Sequence, residues 1–308
     1  VVFGKTDGTA VELSEIELGT NAGGFVINGV SAGDVSSRSV SDAGDVNGDG
    51  LDDLIIGARS DDPNGSNSGA SFVVFGKADG TKVELSEIEL GTNEGGFTIN
   101  GVAEFDQSGY SVSSAGDVNG DGFDDLIVGA TSDDPNGNSN SGASFVVFGK
   151  TDGTAVELSE IELGTNAGGF VINGVSAGDV SSRSVSDAGD VNGDGLDDLI
   201  IGARSDDPNG SNSGASFVVF GKADGTKVEL SEIELGTNGD GFVINGVASG
   251  DYSGWSVSSA GDVNGDGLDD LIVGALVDDP NGDGSGASFV VFGKSGGAVV
   301  ELSEIELG

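Results

Sequence analysis

The 308 residues contain no cysteine, no histidine and no methionine, and only 11 Lys+Arg stand against 53 Asp+Glu, a formal net charge of −42. Without cysteine there is no disulfide framework, no thiol nucleophile and no zinc–thiolate site. Without histidine there is no Ser-His-Asp triad, imidazole base or histidine metal ligand. So few cations on so acidic a chain exclude a nucleic-acid groove, and an anionic membrane surface is an equally poor partner. No apolar run approaches the roughly 18 residues that a membrane-spanning helix needs. Proline is scarce, and all four copies (Pro63, Pro135, Pro208, Pro280) share one context, DDPNG. In that turn Pro presets φ, and Asn or Gly accepts positive φ. The chain opens on Val1-Val2-Phe3-Gly4 with neither an initiator Met nor a signal-peptide pattern. It reads as a window on a longer protein.

What is present is a repeat. The string VVFGK starts at Val1, Val73, Val146, Val218 and Val290, and residues 1–93 match residues 146–238 letter for letter. Apolar residues make up 36% of the chain, enough for a core. Each period breaks into short runs rich in β-branched and aromatic residues: Tyr110–Ser114, Leu126–Ala130, Ala143–Phe148 and Gly168–Val175 in the second. Gly, Asn and Asp clusters between them supply turns. Four short antiparallel strands per period are what one propeller blade requires, and blades must stack to bury their faces.

The expected fold is therefore all-β, with tandem four-stranded blades in four repeats of about 72 residues. The boundaries read as a partial blade at 1–30 and repeats at 31–102, 103–175 and 176–247. A fourth repeat, 248–308, ends after its third strand plus an overlap. Pairing the N-terminal FVING strand with the last three strands would close a four-blade ring. An open stack or filament is the alternative, because head-to-tail contacts that do not close extend indefinitely. The stretch VELSEIELG admits two readings. Ser14 with Glu17 forms a capping box for one helical turn, whereas the alternation of Val11, Glu12 and Leu13 suits a strand.

The strongest chemical signal is the nonapeptide DVNGDGLDD. Oxygen donors stand at loop positions 1, 3 and 5 (Asp45, Asn47, Asp49), Gly50 permits the sharp turn, Leu51 offers its carbonyl and Asp53 closes the loop. This is the ligand spacing of an EF-hand loop without its final Glu. Calcium takes six to eight hard oxygens, and carboxylates held this close repel without a cation. Magnesium fits less well because it demands stricter geometry and keeps more water. A metal-free Asx- and Gly-rich turn is the other reading of the same residues.

The run AGDVNGDGLDDLIIGA, followed by SGASFVVFGK, resembles the FG-GAP repeats of integrin α-subunit propellers and of long bacterial extracellular proteins. The resemblance covers essentially every period. It implies that the loop joins the first two strands of a blade and binds Ca²⁺. The implied ligands are Asp45, Asn47, Asp49, the Leu51 carbonyl and Asp53, then Asp117, Asn119, Asp121, Phe123 and Asp125. The later copies are Asp190, Asn192, Asp194, Leu196 and Asp198, then Asp262, Asn264, Asp266, Leu268 and Asp270. Family propellers carry about seven blades, whereas this chain shows four periods.

Arg38 and Arg183 fill the slot held by Tyr110 and Trp255 in the other two periods. That slot reads as packing at the start of a blade, with a glycan or partner contact as the alternative. Arg59 and Arg204, beside DDPNG, are expected to neutralise nearby aspartates, and the Lys of VVFGK to be a solvated strand end. DDPNG reads first as a turn. Asp61-Asp62 and its copies, DDPNGDG at Asp278–Gly284 above all, raise a second cation as the alternative. Every acidic pair recurs in every repeat, which speaks for structure rather than for a singular catalytic site.

The sequence reads as a non-enzymatic, extracellular or cell-surface, calcium-binding structural or adhesive protein. Its partners are about four Ca²⁺, one per repeat, and copies of itself or neighbouring repeats meeting its incomplete end blades. The alternatives are a module that binds a glycan or protein ligand and, further off, a polysaccharide-processing enzyme.

Overall fold

A computed structural model describes residues 1–6, 9–19 and 23–306. The chain is all-β apart from one short helix per repeat. It opens with α1 (Leu13–Glu17) and β1 (Ile27–Asn28). The first blade follows as β2 (Ser39–Gly44), β3 (Asp53–Ala58) and β4 (Ala70–Val74), then β5 (Val83–Glu84), α2 (Leu85–Glu89) and β6 (Gly96–Asn100). The second comprises β7 (Ser108–Gly116), β8 (Asp125–Ala130), β9 (Ala143–Val147), β10 (Val156–Glu157), α3 (Leu158–Glu162) and β11 (Gly169–Asn173). The third comprises β12 (Ser181–Gly189), β13 (Asp198–Ala203), β14 (Ala215–Val219), β15 (Val228–Glu229), α4 (Leu230–Glu234) and β16 (Gly241–Asn245). The fourth holds β17 (Ser253–Gly261), β18 (Asp270–Ala275), β19 (Ala287–Val291), β20 (Val300–Glu301) and α5 (Leu302–Glu306).

Each complete blade is the expected antiparallel sheet of four, in the order β2-β3-β4-β6 for the first. The second strand is apolar on both faces because a neighbouring blade covers each. Leu126, Val128 and Ala130 point into the core shared with the first blade, and Ile127 into the core shared with the third. A glycine in this strand lets the stacked sheets approach: a Cβ on Gly202 would stand 2.1 Å from the Gly254 carbonyl oxygen.

A fifth strand joins each complete blade, which the alternation in VELSEIELG allowed but whose partner the sequence did not indicate. The Val-Glu pair of each repeat adds in parallel to the last strand of the preceding blade, Val156 opposite Ile99 and Glu157 opposite Asn100. Glu157 then accepts the side-chain amides of Asn100 (2.7 Å) and Asn64 (3.0 Å), clamping the earlier blade. VELSEIE is thus strand and helix in succession. The capping box at Ser14 and Glu17 is not made: the helix starts at Leu13, its N-cap is Glu12 with no side-chain cap, and Ser14 lies inside. The helix begins at the same leucine whether the Val-Glu residues are paired, as at Val156–Glu157, or unpaired among the described residues, as at Val11–Glu12.

The first strands of successive blades lie side by side, β2 on β7, β7 on β12 and β12 on β17. The pairing that would close a ring is absent: β1 pairs with β5, and β19 pairs only with β18. Ile272 and Val290 of the last blade are exposed, whereas their equivalents Ile127 and Val146 are buried. The described residues form an open stack.

Candidate metal centre

The four acidic loops join the first two strands of their blades, between β2 and β3, β7 and β8, β12 and β13, and β17 and β18. Each leaves its first strand through a glycine of positive φ. At Gly116 (φ 67°) a Cβ would also lie 2.2 Å from Asp197 Oδ2, so the position requires glycine.

The second loop shows the local chemistry. Asp117 accepts the backbone N–H of Gly120 (2.7 Å) and Asp121 (3.0 Å) on Oδ1, and that of Gly122 (3.0 Å) on Oδ2. Asn119 Oδ1 accepts the N–H of Asp121 (2.8 Å), and Asp121 Oδ1 that of Phe123 (3.0 Å). These Asx turns wind the loop so that positions 1, 3, 5 and 9 share one side. The Asn119 amide donates to Asp121 Oδ2 (3.0 Å) and reaches Asp125 Oδ1 (3.5 Å). Asn192 does the same toward Asp194 (3.0 Å) and Asp198 (3.3 Å), and Asn264 toward Asp266 (2.9 Å). The first loop repeats the turn: Asp45 accepts from Gly48, Asp49 and Gly50, Asn47 from Asp49, and Asp49 from Leu51. In the fourth, Asp262 accepts from Gly265, Asp266 and Gly267.

Position 9 is where burial concentrates. Asp53, Asp125, Asp198 and Asp270 are fully buried. Asp125 ties its own loop to the end of the third strand, accepting Val118 N–H (3.1 Å) and Gly149 N–H (2.9 Å). Burial pushes the carboxyl of Asp53 up to about 6, of Asp198 to about 7 and of Asp125 to about 8. The backbone donors pull the other way, and the neighbouring loop aspartates add repulsion.

In the second and third loops the side chains of positions 3, 5 and 9 therefore meet, and these donors are hard oxygens, which suits calcium-class ions. The partly positive Asn119 amide sits between two carboxylates, marking the spot where positive charge is favoured. The carbonyls of Leu51, Phe123, Leu196 and Leu268 accept no hydrogen bond among the described residues. Among those residues no three acidic groups already stand as a finished metal cage. The position-1 carboxylates are turned onto the loop's own N–H groups.

Sequence reasoning passed over position 8. Asp124 Oδ2 accepts Asp45 N–H of the preceding loop (2.7 Å), Asp197 that of Asp117 (2.8 Å) and Asp269 that of Asp190 (3.0 Å). Each loop thus locks the one before it, and the Asp-Asp doublet was the only available sign. The side chains of Phe123 and Leu196 lie against Gly48 and Gly120 of the preceding loops, strengthening the same contact.

Two side-chain expectations need correction. Among the described residues every ion pair uses lysine, so Arg59 and Arg204 do not neutralise aspartates by direct pairing. Arg59 donates to Gln107 (2.7 Å) and lies 5.6 Å from the Tyr110 ring centre. Arg204 lies 5.2 Å from that of Trp255. Arg183 stands between Tyr110 (4.9 Å) and Trp255 (4.8 Å), and Arg38 caps Tyr110 (4.7 Å). Stacking blades puts one guanidinium against the next blade's ring, where cation–π attraction holds it. The VVFGK lysines are likewise placed by packing rather than simply solvated: Lys150 Nζ sits 4.7 Å from the Phe97 ring, and the Lys150 backbone N–H donates to Val46 O (2.8 Å).

The family profile described as FG-GAP repeat matches residues 39–74, 108–147, 184–219 and 253–291. Integrin alpha pat-2 of Caenorhabditis elegans is 28% identical over 234 residues, covering 75% of this chain and 17% of that protein. Integrin alpha-PS2 of Drosophila melanogaster is 31% identical over 188 residues, covering 59% of this chain and 12% of that protein. Integrin alpha-5 of Xenopus laevis is 30% identical over 168 residues, covering 52% and 14% respectively. The chain spans less than a fifth of the length of these relatives.

Proposed function

We propose, on the premise that this chain is an array of four FG-GAP repeats, that it is an adhesive or structural module of the cell surface or extracellular space. About four Ca²⁺, one in each acidic loop, stiffen its blades. The observation that carries this reading is the convergence of Asn119, Asp121 and Asp125 on one point, repeated by Asn192, Asp194 and Asp198. The likeness to integrin α chains supports adhesion and a place outside the cell. Salt and calcium there relieve the self-repulsion of so anionic a chain. Blades that stack without closing extend into a rod, so further copies of the unit would build a fibre or surface layer. The reading assigns the chain no catalysis.

Calcium stabilises only the state that binds it. With a Kd on the order of 10⁻⁴–10⁻³ M and millimolar ion, each loop contributes about 1 kcal/mol. Melting of the chain in chelator and in millimolar Ca²⁺ tests this: the transition rises with calcium, and an unchanged transition overturns the reading. A second reading, a glycan or protein ligand held on the blades, has one observation in its favour. The chain's four arginines, its tryptophan and both tyrosines gather in one row of stacked contacts. A glycan array probed with the intact chain discriminates between the two.

A further inference from the structure

A second set of carboxylates repeats in every blade, away from the acidic loops. Asp61, Asp133, Asp206 and Asp278, the first Asp of each DDPNG, are only 5–6% exposed. Oδ1 of Asp61, Asp206 and Asp278 accepts the N–H of the following residue (3.1, 2.9 and 2.8 Å). The other oxygen, Oδ2, is buried and has no hydrogen-bond partner in any of the four blades.

Beside each lies another buried aspartate from a different loop: Asp34, Asp106, Asp179 or Asp251. The backbone fixes that neighbourhood, since Ser60 N–H donates to Asp34 O (3.3 Å) and Ser132 N–H to Asp106 O (3.3 Å). Ser205 to Asp179 (3.2 Å) and Val277 to Asp251 (3.1 Å) repeat it. A third carboxylate comes from the helix. Glu89 acts on Asp61, Glu162 on Asp133 and Glu234 on Asp206. Burial comes first and these like charges follow in raising Asp61 to about 6 and Asp133 and Asp206 to about 7, with no cation among the charges named.

A buried carboxylate oxygen without a donor destabilises the fold, and a second carboxylate beside it adds to that. Buried charges in folded proteins are paired or bind metal. We propose that each blade holds a second Ca²⁺ site, built on the unpartnered Oδ2 of the DDPNG aspartate and the aspartate of the inter-blade connector, with the helix glutamate at its rim in the first three blades. The donors are all hard oxygens, and in those three blades three carboxylates exceed the one or two through which Mg²⁺ is usually held, which favours Ca²⁺. Such an ion ties three connections of one blade together: the entry from the preceding blade, the turn before the third strand and the helix. The proposal goes beyond the loop reading and uses separate residues. The six-residue strand β18, at about 3.3 Å per residue, separates the two sites by about 20 Å.

The fourth blade supplies the test. Tyr252 follows Asp251 directly, and its ring centre lies 6.4 Å from that of Trp255. Tb³⁺ added to the intact chain in place of Ca²⁺ should give emission on excitation of Trp255, and Ca²⁺ should compete it away. Asp278→Asn should weaken that signal by about tenfold or more, whereas Asp266→Asn, in the acidic loop, should leave it unchanged. Equilibrium dialysis should count two Ca²⁺ per complete blade. One Ca²⁺ per blade, with Tb³⁺ emission that ignores Asp278→Asn, overturns the second site and leaves the loop reading standing. No bound Ca²⁺ overturns both. A signal that Ca²⁺ cannot displace also overturns it. If Asp278→Asn lacks the native circular dichroism, Asp251→Asn reads the same site.

Discussion

Residues 1–93 and 146–238 have the same sequence and different structures. Leu13 is 68% exposed, and its twin Leu158 is fully buried. Val40 is 61% exposed and Val185 only 7%. The first strand of the blade runs Ser39–Gly44 in one copy and Ser181–Gly189 in the other, and Ile27–Asn28 grows to Gly169–Asn173. The second copy is covered on both faces by neighbouring blades. The first is covered on one. A β-strand's preference is largely a preference for a packed surface, and a repeat's stability includes the interfaces it shares. Identical residues therefore differ wherever only one copy has a neighbour.

The largest break in this comparison should come from Leu158→Ala against Leu13→Ala. Emptying the buried site should cost about 2–5 kcal/mol, and the exposed one within about 0.5 kcal/mol. Native-state hydrogen exchange of the adjoining strands reads both, and equal losses would show that the end blade is covered as the inner one is. A smaller contrast lies in the loop lock. Asp197 accepts the N–H of Asp117 (2.8 Å), whereas Asp52 is exposed and accepts no such bond among the described residues. Asp197→Ala should cost about 1–3 kcal/mol in urea unfolding and Asp52→Ala close to nothing, so matching costs would remove the lock.

The smallest contrast is in pH. Asp53 is raised to about 6 and its twin Asp198, in a blade covered on both faces, to about 7. A carboxyl whose folded value lies above its unfolded value keeps a proton that the unfolded chain has released. Stability of the calcium-free chain should therefore fall as pH rises from about 4 through each folded value, by up to about 1.4 kcal/mol per pH unit per group. Carboxyl NMR in chelator should place the Asp198 midpoint about one unit above that of Asp53. Coincident midpoints, or stability that climbs across this range, would reject the effect of that cover.

Much of this was legible because it is local. The β-branched runs gave the antiparallel strands to within a few residues. The nonapeptide gave the loops because Asp117, Asn119 and Asp121 wind their own backbone through bonds spanning two to five residues. The misses share one feature, a distant partner. The two-residue strand Val156–Glu157 exists only through pairing with Ile99 and Asn100. The Asp197 lock spans 80 residues. The arginines face rings in adjacent blades rather than the aspartates beside them in sequence.

By itself, the sequence determined the period, the blade's strands and the winding of each acidic loop, because these follow from φ/ψ preference, alternation and bonds between near neighbours. Only the tertiary structure decided that the stack is open and which copy of each leucine is buried. It also set the connector carrying Asp34 beside the turn carrying Asp61, within reach of the Glu89 charge. Removal from water is a property of what packs on top, and no residue carries that information in its own letter.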